Sequence, residues 1–115
     1  MDTIGKLAAA GLCALLLAAC AQPVPPERSA YVGQWREARM RLAIFRDGRV
    51  EYARREGSTT TTIKAPLQRF EGDNFVVGVW RFNTTFVVSA APHLEGNTWI
   101  MVVDGVRLTR TDGGG

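Results

Sequence analysis

The sequence predicts an all-β domain, a small antiparallel barrel or sandwich of about seven or eight strands. Three observations lead there. From Tyr31 onward apolar residues recur at alternate positions, the period of a strand that buries one face. The runs are rich in valine, isoleucine, threonine, phenylalanine and tryptophan, which suit a pleated, half-buried surface. Short clusters containing glycine, aspartate or asparagine separate them. The chain has 115 residues, room for one domain, and its 46% hydrophobic and 22% charged content excludes bulk disorder.

The first thirty residues follow a different pattern. Lys6 precedes Leu7–Ala19, where every residue is apolar or glycine. This stretch is shorter than the ~20 residues a spanning helix needs, and it fits the apolar region of a secretory signal. It ends in Leu17-Ala18-Ala19-Cys20, which resembles the lipobox of bacterial lipoproteins. The resemblance implies that residues 1–19 are a signal peptide and that the Cys20 thiol accepts a diacylglyceryl group. Its freed amine is then acylated, so the chain is held at a membrane by lipid. Cys13 follows the bulky Leu12 and lacks the small residues before the cut. Residues 21 and 22 are alanine and glutamine, not the aspartate that the enterobacterial sorting pattern reads as inner-membrane retention. The expected location is therefore the outer membrane, facing the periplasm.

Residues 20–30 are read as the lipidated cysteine and a linker, because Pro23, Pro25 and Pro26 favour an extended spacer. The β domain then covers residues 31–112. Both cysteines lie in the first 20 residues, so no disulfide staples it. Losing Asp2 and Lys6 with the signal leaves the net charge at +3. In an exported protein the available polyanions are headgroups, polysaccharides and acidic proteins, and no nucleic-acid partner is expected.

The strands can be placed by phase. Met40, Leu42 and Ile44 alternate with Arg39, Arg41 and Ala43, and Val50 and Tyr52 follow Asp47-Gly48. A three-residue loop Arg46-Asp47-Gly48 pairs Ile44 with Val50 and keeps both apolar sets on one face, with Gly48 left-handed. Ile63, Ala65 and Leu67 alternate weakly after Ser58–Thr62, an exposed edge. Phe75–Phe82 is apolar on both faces and reads as one central strand or as a contact surface. Residues 91–97 read as a loop. At Asp104-Gly105 a two-residue type I′ turn pairs Val103 with Val106, Met101 with Leu108 and Trp99 with Arg110.

Gly33-Gln34-Trp35, at the start of the first strand, resembles the G-x-W entry motif of lipocalin-like barrels. That resemblance implies that Trp35 closes one barrel end against an arginine near the last strand, a role open to Arg110. The register above also sets Arg110 beside Trp99, so it can serve either ring. A core tryptophan of any antiparallel fold would account for Trp35 equally.

Seven arginines lie between Arg36 and Glu56, and alternation turns Arg39 and Arg41 to solvent. They form either an anion-binding face or a solvated face with local ion pairs. His93 is the single histidine, and no motif gives it a nucleophile, an acid or metal-ligand partners. No catalytic residue, no metal and no cofactor beyond the lipid on Cys20 is expected. Three functions remain: a non-enzymatic envelope lipoprotein that binds an envelope protein or polysaccharide, a lipocalin-like carrier of a small apolar ligand, and an inhibitor of a periplasmic protease or lysozyme. An interior cavity would favour the carrier, and a rigid loop carrying Glu56–Ser58 or His93–Asn97 would favour the inhibitor.

Overall fold

The computed structural model describes residues 22–111, so the signal peptide and Cys20 lie outside the described residues. The described chain is nearly all β. A short 3₁₀ segment, Pro26–Tyr31, leads into β1 (Gly33–Glu37), β2 (Met40–Ile44), β3 (Arg49–Glu56), β4 (Thr59–Glu71), β5 (Asn74–Val79), β6 (Phe82–Phe86), β7 (Val88–Glu95), β8 (Thr98–Val103) and β9 (Val106–Arg110). They form one antiparallel sheet in the order β6-β5-β4-β3-β2-β1-β9-β8-β7, curled into a half-barrel. Its edge strands β6 and β7 are consecutive in the chain, joined through Val87 alone. The chain thus passes directly from one edge of the sheet to the other.

Both Asp-Gly turns take the geometry that phase requires. Ile44 pairs with Val50 and Leu42 with Tyr52, and Gly48 has φ 96°. Phe45 N–H donates to the Arg49 carbonyl at 2.9 Å, closing the three-residue loop. A Cβ on Gly48 would lie 2.2 Å from the Gln22 carbonyl oxygen, so both the backbone angle and the space require glycine. Val103 pairs with Val106 and Met101 with Leu108, and both turn residues have positive φ, Asp104 at 49° and Gly105 at 78°. That is the type I′ signature. Asp104 also fastens the edge crossing. Its carboxylate accepts the Val87 N–H at 2.9 Å, and its own N–H donates to the Val87 carbonyl at 2.8 Å. Beside it, the Asn74 side chain accepts the Val88 N–H at 2.8 Å.

Three expectations are corrected. Phe75–Phe82 is not one strand. It folds back at Trp80-Arg81 so that Val79 pairs with Phe82, which raises the strand total to nine. Apolar content alone hides this turn, because it carries neither glycine nor proline. Residues 91–95 are strand, not loop: Pro92 lacks an N–H but sits in edge strand β7, where register shifts on both sides of Ala90 absorb it. The described part of the expected linker, residues 22–30, is docked rather than extended as a spacer. Gln22 N–H donates to the Leu67 carbonyl at 3.1 Å and Val24 N–H to the Arg46 carbonyl at 3.0 Å. Val24 and Tyr31 are buried.

The interior is filled with side chains. Trp35, Met40, Leu42, Leu67, Phe75, Phe86, Met101 and Leu108 are essentially inaccessible. Phe86 joins Tyr52 edge-on and Phe75 by stacking, each pair with centroids 5.0 Å apart. The 3₁₀ segment covers one end. Tyr31 packs on Phe70 and Phe75, donates its hydroxyl to the Asp73 carbonyl at 2.8 Å, and offers its own carbonyl to the Trp35 indole N–H at 2.9 Å. No buried side-chain nitrogen or oxygen among the described residues lacks a hydrogen-bond partner.

Candidate functional site

The strand registers place an ordered array of side chains on the outer face of β1–β4. Gln34, Ala43, Glu51 and Lys64 form one row across the four strands, and Arg36, Arg41, Ala53 and Thr62 form the next. A third row holds Arg39, Arg55 and Thr60, with the Arg55 N–H bonded to the Arg39 carbonyl at 2.8 Å. The small residues Ala43 and Ala53 make a floor between longer side chains. The result is a groove of about 400 Å³ over the first two rows, continued by one of about 350 Å³ past Arg39, Arg54 and Arg55.

Some of the exposed arginines are ion-paired and others, Arg46 and Arg81 among them, are not. Arg28, Arg49, Arg54, Arg69 and Arg107 each meet a carboxylate: Asp73, Asp47, Glu56, Glu71 and Glu95 respectively. Among the described residues, Arg36, Arg39, Arg41 and Arg55 form no ion pair, although all four are exposed. Arg36 and Arg41 are direct partners across β1–β2. Like charges in that position repel and destabilise a sheet. Two acids border the array. Glu37 accepts the backbone N–H of Arg39 at 3.0 Å, and Glu51 stands across from Lys64.

Arg39 and Arg41 therefore share one solvent face, joined by Arg36 and Arg55. The same alternation that turned Arg39 and Arg41 outward would have found both: Arg36 follows the inward Trp35, and Arg55 is two positions beyond the outward Ala53. What was missing was the pairing of the strands.

At the other side of the β1–β9 seam, Arg110 is the backbone partner of Trp35. Its guanidinium lies 4.9 Å from the Trp99 ring centroid and 5.9 Å from that of Trp35. It therefore spans both rings and favours Trp99 by distance. Trp35 is fully buried, Trp99 partly.

His93 lies on β7 in a surface cluster. Its Nδ1 is 2.8 Å from the Ala91 carbonyl and its Nε2 2.8 Å from Glu95, which also takes a two-pronged contact from Arg107. Both ring nitrogens face acceptors, so the Ala91 carbonyl and then the Glu95 carboxylate raise the imidazole pKa. Arg107, followed by His93, holds Glu95 down to about 2. Among the described residues no serine, threonine or cysteine hydrogen-bonds to this trio, and it reads as a clasp between β7 and β9.

No family model, curated protein or solved structure matches this chain.

Proposed function

We propose that this chain is a lipid-anchored, non-enzymatic envelope protein that binds an acidic glycan of the envelope, phosphorylated or carboxylated, on the outer face of β1–β4. The anchor is the lipid on Cys20, and the compartment is the periplasmic face of the outer membrane. The observation that carries the binding reading is the Arg36–Arg41 pair: two exposed arginines at directly paired positions across β1–β2, neither of them in an ion pair among the described residues. An anion bridging them would remove the repulsion, and guanidinium forks suit phosphate and carboxylate oxygens in paired contacts. The filled interior supports an outside-facing site over a carrier's cavity.

The test uses heparin as an acidic glycan probe with the mature protein at low and at moderate salt. Arg36→Gln with Arg41→Gln should weaken binding about tenfold or more, about 1.4 kcal/mol, and added salt should narrow the difference. Arg49→Gln with Arg69→Gln removes the same charge from ion-paired sites and should change affinity little. Equal losses from the two double variants would reduce the effect to net charge and refute the site.

The inhibitor reading draws on one feature. β2 pairs with β3 only as far as Arg54, and β5 joins β4 from Leu67 onward, so Arg55–Thr60 forms a short two-stranded ribbon ending at Gly57-Ser58. Deleting that turn should leave heparin binding intact if the glycan reading holds.

A further inference from the structure

The tip of the β5–β6 hairpin exposes a cluster of large apolar side chains. Trp80 is 74% exposed, Phe82 76% and Val79 51%, and Val79 is the direct partner of Phe82. Trp80 stands at φ 57°, at the first position of a two-residue turn, where glycine is the usual choice. A bulky aromatic there, in water, serves neither the turn nor the core. The Arg81 guanidinium lies 4.3 Å over the Trp80 ring and meets no carboxylate among the described residues.

The tip is held against β4. The Gln68 side-chain amide donates to the Trp80 carbonyl at 2.9 Å and accepts from Asn83 at 3.4 Å. The neighbouring Leu67 carbonyl receives the Gln22 N–H. Adjacent residues of β4 thus hold the apolar tip and the start of the described chain. Cys20 is two residues before Gln22, and two residues of chain reach at most about 7 Å.

Building on the reading of Cys20 as the lipid-bearing residue, we propose that this hairpin tip is a second membrane contact. Trp80, Phe82 and Val79 enter the headgroup–acyl boundary of the phospholipid surface that holds the Cys20 lipid. Tryptophan suits that depth because its ring is apolar and its N–H stays wet. Arg81 lies over the ring with its charge free to reach lipid phosphates. A lipid tether alone leaves the domain free to swivel, and a protein contact beside it fixes one orientation.

The experiment takes the mature protein purified from bacterial membranes and reconstituted into phosphatidylethanolamine–phosphatidylglycerol vesicles, with and without acyl chains brominated near the glycerol. Mass spectrometry of the N-terminal peptide reads the lipid on Cys20, and tryptophan emission reads the hairpin. Brominated chains should quench the wild type, and Trp80→Phe should lose most of that quenching, since Trp35 is buried in the core and Trp99 lies against Arg110. Acrylamide should reach Trp80 less in vesicles than in detergent, and Arg81→Glu should restore part of its access. Lipid on Cys20 with equal quenching in wild type and Trp80→Phe would overturn the contact while leaving the anchor standing. A mature N-terminus without lipid would overturn the anchor and the geometry that rests on it. Protection of Trp80 in detergent, accompanied by a sedimenting dimer, would overturn the contact in favour of a second copy of the chain.

Discussion

Replacing Asp104 probes how the half-barrel is fastened. Asp104 occupies the first turn position of the β8–β9 hairpin at φ 49°, and its carboxylate accepts the Val87 N–H where the chain crosses from edge strand β6 to edge strand β7. Two separable terms follow. A residue other than glycine, asparagine or aspartate in the left-handed region costs about 1–2 kcal/mol. Losing a hydrogen bond to a carboxylate costs about 1.5–3 kcal/mol, and solvent exposure of Asp104 puts this one at the low end. Asp104→Ala incurs both, about 3 kcal/mol in all. Asp104→Gly keeps the turn and loses the bond, about 1.5 kcal/mol. Asp104→Asn keeps the turn and a neutral acceptor, so it should be the mildest. For a domain of this size each kcal/mol lowers the melting temperature by about 4–8 °C, so thermal melts followed by circular dichroism resolve the three. The expected order of stability is wild type, Asn, Gly, Ala. Equal melting of the Ala and Gly variants would refute the backbone term, and a neutral Asp104→Gly would refute the clasp on Val87.

Three further outcomes follow from packing and charge. Leu108→Ala should cost about 2–5 kcal/mol, because Leu108 is fully buried opposite Met101; Arg110→Ala should cost less, about 0.5–2 kcal/mol for its ring contacts. Denaturant midpoints check the ordering, and an inverted order would reverse the inward face assigned to β9. A chain beginning at Gln22 should melt above one beginning at Tyr31, since only the former keeps buried Val24 and the backbone bonds of Gln22 and Val24; equal melting would mean that residues 22–30 add nothing. For the clasp, the folded His93 pKa is raised, so its contribution is full below its unfolded value near 6.5 and is lost as pH rises through the folded value. Glu95 is depressed, so its contribution is present above its unfolded value and is lost as pH falls towards about 2. A proton NMR titration of the His93 ring checks this. Arg107→Gln should raise the Glu95 pKa, and a His93 midpoint at or below 6.5 would contradict the geometry.

Much of the fold was legible before any coordinates. The period of two fixes strands, and the phase of apolar residues on either side of Asp47-Gly48 and Asp104-Gly105 fixes loop length and register, because a one-residue slip would turn an apolar set to solvent. It also turned Arg39 and Arg41 outward. Local pattern failed at Trp80-Arg81, where a turn is made without glycine because tertiary contacts, including the bond from Gln68, hold a tryptophan at positive φ. It failed again at Pro92, which only an edge position tolerates.

The sequence by itself determined the all-β class, the two Asp-Gly turns and that Arg39 and Arg41 face water, since each depends on neighbours within a few residues. Only the tertiary structure decided that Arg36 stands beside Arg41, that Arg110 reaches both Trp99 and Trp35, and that the apolar tip at Trp80 shares β4 with the docked Gln22. Those relations depend on which strands become neighbours when the sheet curls. That choice is set by burial of the whole core, a sum over residues far apart in the chain, and no short stretch of sequence contains it.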